Sequence, residues 1–131
     1  MLAKISVSEY MTPHPVVFTP DMDVYEAIRK LLEIKSTGAP VVDDHGKVIG
    51  AFSELECLRM VVNSSYYEDM GGKVAEFMTS DVTTVDSEAS IVEVAELFSK
   101  SALRHFPVVD DGKLVGVISR VDILKALLAI R

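Results

Sequence analysis

The sequence predicts an α/β fold made of two pseudo-symmetric copies of one strand-helix-strand-strand-helix unit. Three observations carry that prediction. Val7-Ser8-Glu9-Tyr10-Met11-Thr12 returns as Val74-Ala75-Glu76-Phe77-Met78-Thr79, and Pro40-Val41-Val42-Asp43-Asp44 returns as Pro107-Val108-Val109-Asp110-Asp111, both 67 positions on (74 − 7 and 107 − 40). After a one-residue slip at His45, the residues Gly46, Lys47, Gly50 and Ser53 reappear as Gly112, Lys113, Gly116 and Ser119. Between these anchors the apolar spacing passes through strand-like and helix-like periods in the same order in both copies. Tandem copies of one unit bury their apolar faces on each other. The repeats are placed at residues 5–63 and 74–130, joined by a linker over 64–73 into one compact module.

Each copy opens on a short apolar strand, Val16-Val17-Phe18 in the first and Val82-Thr83-Thr84-Val85 in the second. A helix follows. Val24, Ala27, Ile28, Leu31 and Leu32 hold the spacing of one buried face, as do Ile91, Val94, Ala95 and Phe98. Both helices begin with a short polar residue and a Glu three positions on, Asp23 with Glu26 and Ser90 with Glu93, which supplies acceptors for unpaired N–H groups. A hairpin comes next, with Asp43-Asp44-His45-Gly46-Lys47 turning the first and Asp110-Asp111-Gly112-Lys113 the second. Gly takes the positive-φ position of such turns, and the extra His45 lengthens one of them. Closing helices are predicted from Glu54 to about Asn63 and from Arg120 to about Arg131. Leu55, Leu58, Val61 and Val62 line one face of the first; Ile123, Leu124, Leu127 and Leu128 line one face of the second.

Composition narrows the function classes. At 131 residues and 49% apolar content the chain can build a core, and no apolar run is long enough to cross a bilayer. The first residues lack the apolar stretch and cleavage site of a signal peptide, so a cytoplasmic location is expected. The single cysteine, Cys57, has no internal disulfide partner and is expected to be a buried, inert thiol. A net charge of −7, with no Lys or Arg cluster longer than a pair, disfavours nucleic-acid polymers and leaves a small anionic ligand open. His14, His45 and His105 share no metal-ligand spacing, so no metal site is expected. No nucleophile stands with a base and no phosphate-cradling loop occurs, so neither catalysis nor a required cofactor is expected.

The copies differ at two places where chemistry could sit. Ser119-Arg120-Val121-Asp122 opens the last helix, whereas its counterpart is Ser53-Glu54-Leu55-Glu56. Both patterns serve as capping boxes without any ligand, and Glu suits that role better than Asp. Arg104 and His105 precede the second hairpin where the first has the uncharged Thr37 and Gly38.

The Met-Thr start, amphipathic helix, Pro-Val-Val-Asp-Asp hairpin and closing Gly-x-hydrophobic-Ser-x-x-Asp together resemble a cystathionine-β-synthase (CBS) domain. Two in tandem resemble the CBS pair, or Bateman module, here standing alone over essentially residues 5–130. The resemblance implies sheets packed one against the other, with clefts that bind adenine nucleotides such as AMP, ADP or ATP, or S-adenosylmethionine. It implies a regulatory module in which Asp122 holds the ribose, Ser119 and the helix N-terminus offer donors to phosphate, and Arg104 and His105 point at phosphate. By the same resemblance, Thr12, His14 and Val16 hold the adenine edge, and Thr37, Gly38 and Ala39 line the same cleft, with Gly38 admitting a flat ring. Glu56 in place of Asp, with Asp81 nearby, makes the other cleft the poorer one. A homodimer is expected, because Leu127, Leu128, Ile130 and Tyr66-Tyr67 have few partners inside one chain. A partner protein, a ligand-free dimerisation module and an S-adenosylmethionine sensor remain alternatives.

Overall fold

The computed structural model describes residues 1–63 and 71–131, so Tyr66 and Tyr67 lie outside the described residues. The chain forms an α/β fold in which two compact units do not coincide with the sequence repeats. One unit combines Met1–Pro15 with Thr83–Arg131; the other is Val16–Val82. Each repeat therefore lends its leading segment to the unit built mainly from the other.

In the first unit the strands are β1 (Thr12–Pro13), β4 (Val85–Asp86), β5 (His105–Asp110) and β6 (Lys113–Ser119), in the sheet order β1-β6-β5-β4. Strand β1 pairs antiparallel with β6 through Thr12 and Val117, and β4 runs parallel to β5 through Val85 and Val108. Asp111 and Gly112 both have positive φ and make the two-residue turn of the β5–β6 hairpin. Helices α4 (Ile91–Ser99) and α5 (Arg120–Ala129) cover this sheet's core. Ile91, Val94 and Phe98 of α4 bury with Val7, Phe106, Val108, Ile118 and Ala126. Ser90 caps α4 and exchanges hydrogen bonds with Glu93, as its sequence implies.

The second unit repeats this plan. Strands β2 (Gly38–Val42) and β3 (Val48–Ser53) form an antiparallel hairpin. Thr79 bridges Ala51 on the outer side of β3, and Phe18 bridges Val41 on the outer side of β2. These single bridges stand where β1 and β4 stand in the first unit. Helices α1 (Val24–Ile34), α2 (Glu54–Asn63) and the short α3 (Val74–Phe77) complete the unit. Phe18, Val24, Ala27, Leu31, Val41, Phe52, Met60 and Val74 form its core. Asp23 caps α1 by accepting from the Glu26 N–H at 3.2 Å.

The exchanged segments explain the paired Met-Thr and Gly motifs. A Cβ on Gly116 would stand 2.5 Å from Met11 Sδ and 2.8 Å from the Thr12 carbonyl oxygen. One on Gly50 would stand 2.6 Å from Met78 Sδ and 2.9 Å from the Thr79 carbonyl oxygen. Glycine is needed there because a neighbouring backbone lies where a side chain would be.

Two expectations change, and the faces of the closing helices prove exposed, as expected for Leu127 and Leu128. The predicted first strand, Val16-Val17-Phe18, shrinks to the bridge at Phe18, and its counterpart to Val85–Asp86. Pro13 and Pro15 have no N–H to give a ladder, and the chain leaves one unit for the other between Pro15 and Val16. Leu32, expected on the buried face of α1, is 75% exposed, because that helix turns Val24, Ala27 and Leu31 into the core with Ile28 packed beside them. Leu55, Leu58, Val61 and Val62 of α2 and Leu124, Leu127 and Leu128 of α5 do line apolar faces, but those faces are exposed. The sides turned inward carry Glu56 and Met60 on α2, and Asp122 and Ala126 on α5.

Candidate functional site

The N-terminus of α5 holds the most suggestive chemistry. Asp122 is 7% exposed and shares the inward side of α5 with Ala126. Its Oδ2 accepts from the Ser119 N–H at 2.8 Å and from the Ser119 hydroxyl at 3.0 Å, while Ser119 Oγ accepts from the Asp122 N–H at 3.3 Å. This is a complete capping box that uses one carboxylate oxygen. Oδ1 accepts no hydrogen bond among the described residues, and it is not sealed from solvent. Asp122 thus offers a free acceptor on an immobilised side chain.

Its counterpart has both oxygens engaged. Glu56 is 5% exposed, and its Oε1 accepts from the Ser53 N–H at 2.7 Å and the Ser53 hydroxyl at 2.6 Å. The additional methylene carries Oε2 outward to accept from the Thr79 hydroxyl at 2.8 Å, with Arg59 Nη1 at 3.7 Å. Thr79 repeats Thr12, whose hydroxyl makes no such bond to the shorter Asp122. Glu56 therefore ties its own unit's exchanged segment to α2. The sequence signal for this was the coincidence of a longer acid with a duplicated Thr.

Arg104 and His105 stand at the head of β5, with His105 opposite Ser119 in register. The Arg104 guanidinium is exposed and pairs with no carboxylate among the described residues. His105 is half-buried, and loss of solvent pushes its imidazole below the usual range. It is therefore neutral at neutral pH, and the cation expected at this position is Arg104 alone. Arg120 went unremarked in the sequence except as a member of the capping pattern. Its guanidinium donates to three carbonyls of the segment leading to Arg104.

The other candidates are distributed as follows. Thr12 and His14 belong to the first unit and are exposed, with His14 held at φ 51° between two prolines. Val16, Thr37, Gly38 and Ala39 belong to the second. Gly38 is buried, and a Cβ there would stand 2.8 Å from Ser53 Cβ. The close approach that demands glycine is therefore made by its own hairpin partner, not by a flat ligand. Ala39 is a core residue, and the Thr37 carbonyl accepts from the Glu54 N–H at 2.8 Å. Val16 also lies on the wall of a cavity of about 420 Å³, together with Val17, Phe18, Met22 and the charged Glu26, Arg29, Lys30 and Glu33 of α1. Cys57, expected to be buried, is half-buried; its thiol is raised first by desolvation and then by the Glu56 carboxylate, which keeps it unreactive. Among the described residues no group of His, Cys, Asp and Glu could hold a metal ion.

Comparison with known proteins places this geometry in context. The family model for the CBS domain matches residues 7–63 and 74–129. The chain is 32% identical over 124 residues to the A-adding tRNA nucleotidyltransferase of Aquifex aeolicus, an alignment covering 95% of the chain but 14% of that protein. CBSX2 from Arabidopsis thaliana, solved in complex with AMP, superposes with a TM-score of 0.84 at 30% identity, covering 96% of this chain and 98% of that one. A putative acetoin utilization protein, AcuB, from Vibrio cholerae superposes with a TM-score of 0.83 at 28% identity, covering 96% and 92%.

Proposed function

The chain belongs to the CBS domain family, and from that premise we propose that it is a regulatory module for an adenine nucleotide of the AMP, ADP or ATP class. Occupancy would be passed to a partner protein or to a second copy of the chain. The observation that carries this reading is the free Oδ1 of Asp122, fixed by the capping box, while its counterpart Glu56 has both oxygens engaged. A rigid carboxylate oxygen accepts from ribose hydroxyls, and the α5 N-terminus adds a favourable dipole for phosphate; Ser119, expected as a phosphate donor, already gives its N–H and its hydroxyl to Asp122. Arg104, exposed and unpaired with any carboxylate among the described residues, supplies the phosphate cation. His105 supplies a neutral donor that an anionic ligand would draw toward protonation. Thr12 and His14, on the unit that carries Asp122, contribute mainly backbone groups for the adenine edge. The AMP complex of CBSX2 supports the ligand class.

Because Glu56 already has both carboxylate oxygens engaged, the reading assigns one well-bound nucleotide to each chain. Binding to the native state alone would shift whichever arrangement of the module the nucleotide prefers, which is how occupancy becomes a signal. The exposed leucines of α2 and α5 support a homodimer as the functional assembly. Calorimetric titration with AMP, ADP, ATP and S-adenosylmethionine tests the proposal. One adenine-nucleotide site per chain, weakened by Asp122→Asn, is the expected result. Absence of heat with the whole panel would refute it and favour a ligand-free dimerisation module.

A further inference from the structure

We infer that Arg120 is a positioning residue for phosphate recognition, setting the backbone that presents Arg104 and His105 without touching the ligand. The inference rests on the nucleotide reading above. Arg120 Nε donates to the Leu103 carbonyl at 3.0 Å, and Nη2 donates to the Ser101 carbonyl at 2.7 Å and the Phe98 carbonyl at 3.3 Å. The guanidinium carbon lies 5.8 Å from the centre of the Phe98 ring, and the Arg120 N–H donates to the Arg104 carbonyl at 3.2 Å. One residue at the start of α5 thus holds the end of α4, the turn after it and the peptide of Arg104 itself.

A helix C-terminus needs partners for its last carbonyls, and a cation there is favoured, so simple capping is the competing explanation. The sister unit argues against it as the whole account. At the equivalent position stands Glu54, whose N–H keeps the backbone bond to Thr37 at 2.8 Å but whose side chain offers no fork. Helix α1 ends instead on Lys35 in the left-handed region at φ 56°, with its N–H returned to Leu31 and Leu32. Helix α4 ends on Lys100 at φ −104°, without that turn, and residues 100–104 replace the shorter 35–37. The same fold closes this corner without an arginine where no phosphate cation follows. It uses the three-pronged guanidinium in the unit where one does. Arg104 makes no ion pair among the described residues, so the backbone held by Arg120 is what fixes its place. A fixed origin reduces the conformational entropy lost when Arg104 engages an anion.

The test compares AMP with adenosine on the full chain, using wild type, Arg104→Ala, Arg120→Lys and the double variant. Lysine keeps the charge but cannot present a planar fork to three carbonyls. Arg120→Lys is expected to weaken AMP roughly 3- to 10-fold, to leave adenosine within about 2-fold, and to add nothing in the Arg104→Ala background. Amide exchange in ligand-free Arg120→Lys should quicken over residues 100–104 and stay unchanged over 114–118. Arg120→Gln, which keeps one donor, serves if the lysine variant folds poorly. Equal losses for AMP and adenosine, additive losses in the double variant, or unchanged exchange would overturn the inference. If Arg104→Ala weakens AMP while Arg120→Lys does not, the positioning role alone falls. If Arg104→Ala has no effect on AMP, or wild type binds neither ligand, the underlying nucleotide reading falls with it.

Discussion

Removing the two pseudo-equivalent carboxylates should have opposite effects on stability and on binding. Glu56 accepts from Ser53 N–H, Ser53 Oγ and Thr79 Oγ1, whereas Asp122 accepts from Ser119 N–H and Ser119 Oγ. The difference is the Thr79 bond, which joins the exchanged segment to α2. A hydrogen bond to a charged group contributes about 1.5–3 kcal/mol. The additional buried methylene of Glu56 adds about 0.8 kcal/mol. The Arg59 pair is set aside, because the arginine is 60% exposed and such pairs contribute little. Glu56→Ala should therefore destabilise the ligand-free protein by roughly 2–4 kcal/mol more than Asp122→Ala, a gap in midpoint on the order of 10 °C for a chain of this length. Thermal melts of both variants, monitored by circular dichroism, measure the gap directly. With saturating AMP, wild type and Glu56→Ala should gain stability and Asp122→Ala should not. If Asp122→Ala is as destabilising as Glu56→Ala without nucleotide, the account of one free and one engaged carboxylate is wrong.

Other outcomes are equally checkable. Gly116→Ala forces the Thr12 carbonyl and Met11 sulfur away from β6 and should cost about 1–3 kcal/mol by chemical denaturation, and Met11→Ala should fail to rescue it because the carbonyl remains. His105, held low by burial, binds its proton less readily in the native state than in the unfolded chain. Its contribution to stability is full above the ordinary value of 6.5 and is lost as pH falls through the folded value, so His105→Gln should flatten the acid side of a stability profile; parallel profiles would remove His105 as the cause. Leu124 and Leu128 are each 63% exposed on α5, so Leu124→Glu with Leu128→Glu should leave the fold intact and convert a dimer to a monomer by light scattering at tens of micromolar; a wild-type monomer would end the dimer proposal.

Much of this protein was legible in its residues alone. The constant offset between Pro40-Val41-Val42 and Pro107-Val108-Val109 announces two copies of one unit, and the spacing of Val24, Ala27 and Leu31 announces a core-facing helix. Capping pairs such as Ser90 with Glu93, and the turn at Asp111-Gly112, are local chemistry and form as the sequence implies. Such features depend on neighbours within a few positions. The exchange of leading segments does not: nothing local tells Thr12 to pair with Val117, and that pairing gives the glycine at 116 its reason. Periodicity reveals an apolar stripe on α5 but not how far it is buried: Ala126 lies in the core with Ile123 packed against it, while Leu124, Leu127 and Leu128 stay exposed. The roles of Glu56 and Arg120 were also decided by tertiary contacts, because a carboxylate is free or engaged according to what the fold brings within 3 Å of each oxygen. Sequence pattern sets what a segment can form by itself; long-range packing decides which polar atoms remain available to a ligand.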